Sequence, residues 1–139
     1  MEEKLNTITW SSAWETGIEV FDNARRDLVN LFNRLVDLIR QGDCARGMPG
    51  LFFSLIHYAG DDLIREEILL RDKGFPGFSE HKAEHGRFID HIRTLREQYD
   101  AGNDPECREL AHFLKKWFEE HLLDYDLEAI AFLRGLDAS

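Results

Sequence analysis

The sequence predicts an all-α protein, an up-down-up-down four-helix bundle with an N-terminal arm. Three observations predict it. Apolar residues recur at spacings of three and four along four separate stretches, as the buried stripe of an amphipathic helix requires. Segments rich in glycine or turn residues, "QGDCARGMPG", "KGFPGF" and "DAGN", separate those stretches. Strand signals are absent apart from brief clusters such as "TITW".

The arm runs over residues 1–16 and the bundle over about 17–135. In the first helix, Ile18, Phe21, Leu28, Leu31, Phe32, Leu35, Leu38 and Ile39 form one stripe, which stops where three glycines and Pro49 follow. The second helix spans about Leu51 to Lys73 through Phe52, Leu55, Ile56, Leu63, Leu69 and Leu70, with Gly60 inside it at a cost of roughly 1 kcal/mol relative to alanine. The third runs from Ser79, a good N-cap, to Tyr99, with Phe88, Ile89, Ile92 and Leu95 inward. The fourth opens on Asp104 as cap and Pro105 as first helical residue, and continues to Arg134. An apolar strip near its end, "AIAFLRGL", is expected to stay exposed and offer a helix contact.

The 139 residues are the size of one compact domain with its own core. No apolar run is long enough to span a bilayer and the N-terminus starts acidic, so the expectation is a soluble, cytoplasmic protein that does not engage membranes. A formal net charge of −10 without a basic patch excludes nucleic acid as a partner. Cys44 and Cys107 have no paired spacing and are expected to be free thiols.

Bundles build metal sites from inward side chains on several helices. His81 and His85, four apart, share one face of the third helix, although an HxxxH alone arises easily by chance. Asp62 and Glu66 are also four apart and flanked by leucines. "GDDLIREE", with four carboxylates in eight residues, reads equally well as a solvated acidic face. His121 and Asp126 lie in an apolar segment with Trp117, Phe118, Leu122 and Leu123; alone, His121 would be a core histidine. Together these residues converge on one interior, where a divalent cation is the simplest partner for them all. Imidazole plus carboxylate without thiolate suits iron, manganese or zinc. His57, His91 and His112 fall off these faces by helical periodicity and read as surface or satisfied histidines.

The motifs "GIEVFDNARRDL", "YAGDDLIREE", "GFPGFSEHKAEH" and "WFEEHLLDYD", with the arm's "ITW", resemble the bacterial hemerythrins over nearly the whole chain. The resemblance implies two irons bridged by a glutamate and an aspartate. It places His81, His85 and His121 on the first iron, with Glu66 and Asp126 as the bridging carboxylates. At the positions of the second iron's two histidines stand Arg25 and Asp62. An arginine cannot ligate a metal, because its guanidinium has five donors and no acceptor.

The expectation is therefore a mononuclear site, with an Arg25–Asp62 ion pair in the vacated half; a bland alternative lets Arg25 snorkel to solvent. Such a protein would not carry O2 reversibly, and could sense or bind O2, NO, peroxide or a small anion at the one metal. With no output domain attached, a sensor would signal through a partner protein. Two other readings stay open. One is a di-iron oxidase or oxygenase with Asp62 as a ligand; the other is a metal-poor interaction module.

Overall fold

The computed structural model describes residues 5–104 and 106–138, and among them no strand occurs. The four-helix bundle follows the predicted order. Helix α1 is Glu19–Gln41. Helix α2 covers 44–72, as an α-helical part Cys44–Tyr58, a π-helical turn Ala59–Leu63 and a second α-helical part Ile64–Asp72. Helix α3 is Phe78–Asp100, and α4 covers 107–138, with a π-helical segment Trp117–Tyr125 between Cys107–Lys116 and Asp126–Ala138. No helix is long and apolar enough to cross a membrane.

Three boundaries differ from the sequence reading. Helix α2 starts seven residues before Leu51, because the glycine and proline segment sits in its first turns. Pro49 is the sixth residue of that helix, and the carbonyl its missing N–H would have used, that of Ala45, accepts from the Tyr99 hydroxyl at 3.0 Å instead. Gly47 sits where a side chain would meet the methyl groups of Leu38, so α1 and α2 approach closely there. Helix α3 begins at Phe78, with Gly77 rather than Ser79 in the cap position. Helix α4 begins at Cys107 behind Glu106; Asp104 stays outside it, and Pro105 lies outside the described residues.

The cysteines are corrected as well. Cys44 and Cys107 are disulfide-bonded, their Cα atoms 6.5 Å apart. A separation of 63 residues hides the pairing in the sequence, yet the bundle sets the N-termini of α2 and α4 side by side. Closing a loop of that length constrains the unfolded chain by about 4 kcal/mol. The "AIAFLRGL" strip is mostly core: Ile130 and Leu133 are buried, and Phe132 packs on Phe75 with ring centroids 5.3 Å apart; Leu136 stays exposed.

The apolar interior comes in two parts. The larger gathers Leu28, Leu55, Leu63, Phe88, Phe118 and Leu122; the smaller gathers Phe21, Leu70, Phe75, Ala129, Ile130 and Leu133. On α2, α3 and α4 alike, the buried polar residues fall between a member of one part and a member of the other, as Glu66 does between Leu63 and Leu70. The polar site therefore divides the core along the bundle axis.

The arm closes the end of the bundle near this site. Asp22, in the first turns of α1, accepts from the Thr16 amide and hydroxyl, each at 2.7 Å, and from the Gly17 amide at 3.1 Å. Gly17 takes φ +82°, a left-handed turn open to glycine at little cost, and this turn brings Trp14 over α1 and against Phe118.

Candidate metal centre

Three helices supply the buried polar cluster. Glu66 and Glu67 come from the last part of α2, His81 and His85 from one face of α3, and His121 and Asp126 from α4; all are buried. His121 and Asp126 are five residues apart, a step that at about 100° per residue would turn them roughly 140° from one another on an α-helix. The i→i+5 bonding over Trp117–Tyr125 widens the turn and brings both toward the same point. It also stacks Trp117 on His121, centroids 3.9 Å apart and nearly parallel, which fixes the imidazole plane.

The reactive atoms converge. His81 Nε2 stands 3.3 Å from Asp126 Oδ1 and 3.6 Å from Glu66 Oε1; His85 Nε2 is 3.3 Å from Glu66 Oε1, and His121 Nε2 is 3.3 Å from Asp126 Oδ1. Donor atoms of His81, His85 and His121 lie within 4.8 Å of one another, as do those of Glu66, His81 and Asp126. Both oxygens of Glu66, both of Asp126, and Nε2 of all three histidines are buried without a hydrogen-bond partner. Each such group costs about 1–3 kcal/mol or more if left so. Three imidazole nitrogens converging with Glu66 Oε1 and Asp126 Oδ1 fit a cation, and that nitrogen and carboxylate set fits iron, manganese or zinc.

Without an ion, the protons redistribute. Burial works against the charged form of His85, but the carboxylates of Glu66 and Glu67 outweigh it and lift the imidazole to about 9. Burial, reinforced by the charge on His85, pushes His121 down to about 3. Burial also tends to raise Glu66, yet the adjacent imidazoles of His81 and His85 hold it below its ordinary value; Asp126, buried beside Glu66, is raised. An incoming divalent ion would displace the proton held by His85.

Glu67 is a functional candidate that sequence reasoning did not single out. His85 Nδ1 donates to its Oε2 at 3.0 Å, which turns Nε2 toward the cluster and raises its basicity. The signal was the doubled glutamate of "IREE" next to an HxxxH, since one residue along the helix points to a different neighbour.

The surroundings of Arg25 and Asp62 are built differently from the expectation. Arg25 does point inward, only 3% exposed, which overturns the snorkelling alternative. It does not pair with Asp62. Its Nη1 donates to the Trp14 carbonyl at 2.6 Å and its Nη2 to the Leu122 carbonyl, so the arm and α4 each hold one terminal nitrogen, while Nε has no partner. Burial lowers its pKa, and Asp126, Asp22 and Glu66 support its charge. Asp62 is half-buried and faces Asp27 of α1. The α-helical step from Arg25 to Asp27 spans two residues, so the two side chains diverge.

His57 lies exposed against Phe53, His112 is exposed, and His91 stacks on Phe113 with centroids 3.9 Å apart; none joins the cluster.

Comparison with known proteins agrees with this geometry. The family described as "Hemerythrin HHE cation binding domain" matches residues 16–133. The bacteriohemerythrin of Clostridium acetobutylicum is 28% identical over 125 residues, covering 87% of this chain and 97% of the relative. That of Pseudomonas aeruginosa is 29% identical over 119 residues, 86% of this chain and 76% of the relative, and that of Methylococcus capsulatus is 24% identical over 120 residues, 86% and 91%. With an all-α bundle and a buried cluster suited to a cation, the chain belongs to the hemerythrin HHE cation-binding family.

Proposed function

We propose that the protein holds one tightly bound metal ion, iron, through His81, His85, His121, Glu66 and Asp126, with Arg25 standing where a second ion would be. The observation that carries this reading is the buried guanidinium, anchored by the carbonyls of Trp14 and Leu122 and electrostatically coupled to Asp126 and Glu66. A fixed cation there repels a divalent ion strongly in a low-dielectric interior. It also supplies part of the charge compensation that a second metal would give the two carboxylates.

Iron in this site supplies a coordination position for a small ligand: O2, NO, peroxide or a small anion. The chain's own residues do the rest. Glu67 orients His85, Trp117 fixes the plane of His121, and Phe21 and Phe75 stand edge-on to His81 and keep water from that side. Reversible O2 carriage by a pair of ferrous ions is not expected, because one of the pair has no place. The protein instead binds or senses a small ligand at a single metal, and a partner protein would read that state. Placement in the cytoplasm is part of the same reading.

The test is metal content per chain after anaerobic iron reconstitution and gel filtration, which strips loosely held ions. About one iron per chain is expected. About two, with the colour of a di-iron centre in air, would overturn the reading in favour of an oxidase or oxygenase using Asp62; none would leave an interaction module.

A further inference from the structure

Two histidines of the cluster are braced differently. The far nitrogen of His85 meets Glu67, whereas Nδ1 of His121 is buried without a hydrogen-bond partner. Two rings stack on the His121 imidazole, Trp117 at a centroid distance of 3.9 Å inclined by 8° and Tyr125 at 4.9 Å inclined by 22°. Stacking fixes the plane of a ring but not its rotation within that plane. That rotation is what aims Nε2 at the cluster.

Glu84 is placed to set it. Its Oε2 stands 3.7 Å from His121 Nδ1, a separation that a small shift or one bridging water turns into a hydrogen bond. Its other oxygen is taken: Arg87 Nε donates to Oε1 at 3.1 Å and Nη2 donates to the same atom, which leaves Oε2 for the histidine. Glu84 and Arg87 lie on α3 and His121 on α4, and a cavity of about 300 Å³ between them is lined by all three with Trp117 and Tyr125. The cavity has room for the bridging water.

We propose that Glu84, clamped by Arg87, is the positioning residue for His121, its Oε2 accepting from Nδ1–H directly or through one water when a metal ion is bound at Nε2. This rests on the reading of His121 as a metal ligand. An imidazole that binds an ion through Nε2 is neutral and carries its one proton on Nδ1, so a carboxylate at that end selects the tautomer and strengthens the donor at the other. The two braces differ in depth: the Glu84 side chain is 30% exposed and that of Glu67 9%. Salt that screens the exposed Arg87–Glu84 pair should therefore loosen His121 and leave His85 as it was.

The experiment measures Zn2+ affinity by competition with a chromophoric chelator, and observes the His121 imidazole in long-range 1H–15N spectra of the Zn2+-loaded full chain. In the wild type the Nδ1–H proton should be protected from exchange with water and give a signal. Glu84→Ala should weaken Zn2+ binding about 10- to 100-fold and lose that signal to exchange. Glu84→Gln keeps an acceptor oxygen of the same reach, so it should keep the signal and lose less affinity. Arg87→Ala should give a smaller loss, which high salt reproduces in the wild type. Glu120→Ala, at the same cavity, should change neither readout. The proposal is overturned if Glu84→Ala leaves affinity and signal as in the wild type, if affinity falls while the signal stays, or if Glu84→Gln behaves like the alanine variant. Uptake of two ions by the wild type would overturn the single-metal reading alone, because the signal still reports on His121; uptake of none would overturn both.

Discussion

The two halves of the polar interior are finished in opposite ways. In the half made by His81, His85, His121, Glu66 and Asp126, seven buried ligand-type atoms have no protein partner. In the half made by Arg25 and its surroundings, the terminal guanidinium nitrogens meet carbonyl oxygens of the arm and of α4. The contrast separates a place waiting for a ligand from a place completed by the chain. In the single-metal reading proposed above, Arg25 supplies from the covalent structure the charge that a second metal would bring.

The strongest way to break that contrast is His85→Ala. An ion present at a thousand times its dissociation constant adds about 4 kcal/mol, which for a chain of this size raises the melting temperature by roughly 10 °C. The variant should lose the ion and melt at the same temperature with and without a chelator; a metal-dependent shift that persists would place the ion elsewhere.

Arg25→Met attacks the other half. It strips one buried and one partly buried carbonyl of a donor and two carboxylates of a cation, so metal-free protein should lose about 2–4 kcal/mol in urea titrations. A loss below about 0.5 kcal/mol would mean that the guanidinium contributes no net stabilisation, as surface ion pairs often do not.

Glu67→Gln is subtler. The amide still reaches His85 but carries no charge, so metal affinity should fall about 10- to 100-fold, with the fold intact by circular dichroism. Unchanged affinity would reduce Glu67 to a packing residue.

The smallest effect is expected from Asp62→Asn, and its size depends on pH. An aspartate whose pKa rises from 3.8 to about 8 on folding binds its proton more tightly in the folded state, so stability falls as pH rises between those values and levels off above. In chelator, the substitution should therefore stabilise by about 1 kcal/mol at pH 8, after discounting for partial exposure, and by almost nothing near pH 4. A gain that does not change with pH would show that the Asp27–Asp62 contact does not hold that proton.

Much of this was legible in the sequence. The bundle followed from apolar spacing, and the five candidate ligands from His, Glu and Asp at positions that share a face with that stripe. What could not be read is equally physical. The π-helical turn at Trp117–Tyr125 changes the angular step, so the face of Asp126 relative to His121 is not given by 100° per residue. The partners of Arg25 are backbone carbonyls, which every residue possesses, so no side chain in the sequence announces them. Cys44 and Cys107 lie 63 residues apart and meet only because two helix ends are neighbours. Pro49 looked like a break because the Tyr99 hydroxyl that takes over its carbonyl comes from another helix.

The division of the apolar interior by the polar cluster bears on how the molecule comes apart. Two oily compartments joined through a charged seam can open at the seam without either compartment dissolving. Backbone amides flanking Glu66 and Asp126 should then exchange with deuterium through a partial opening when the ion is absent, and only through global unfolding when it is present. An ion in the seam would make one cooperative unit out of two, so its loss could be sensed at distant helix ends as a change in how often the bundle yawns rather than in its average shape.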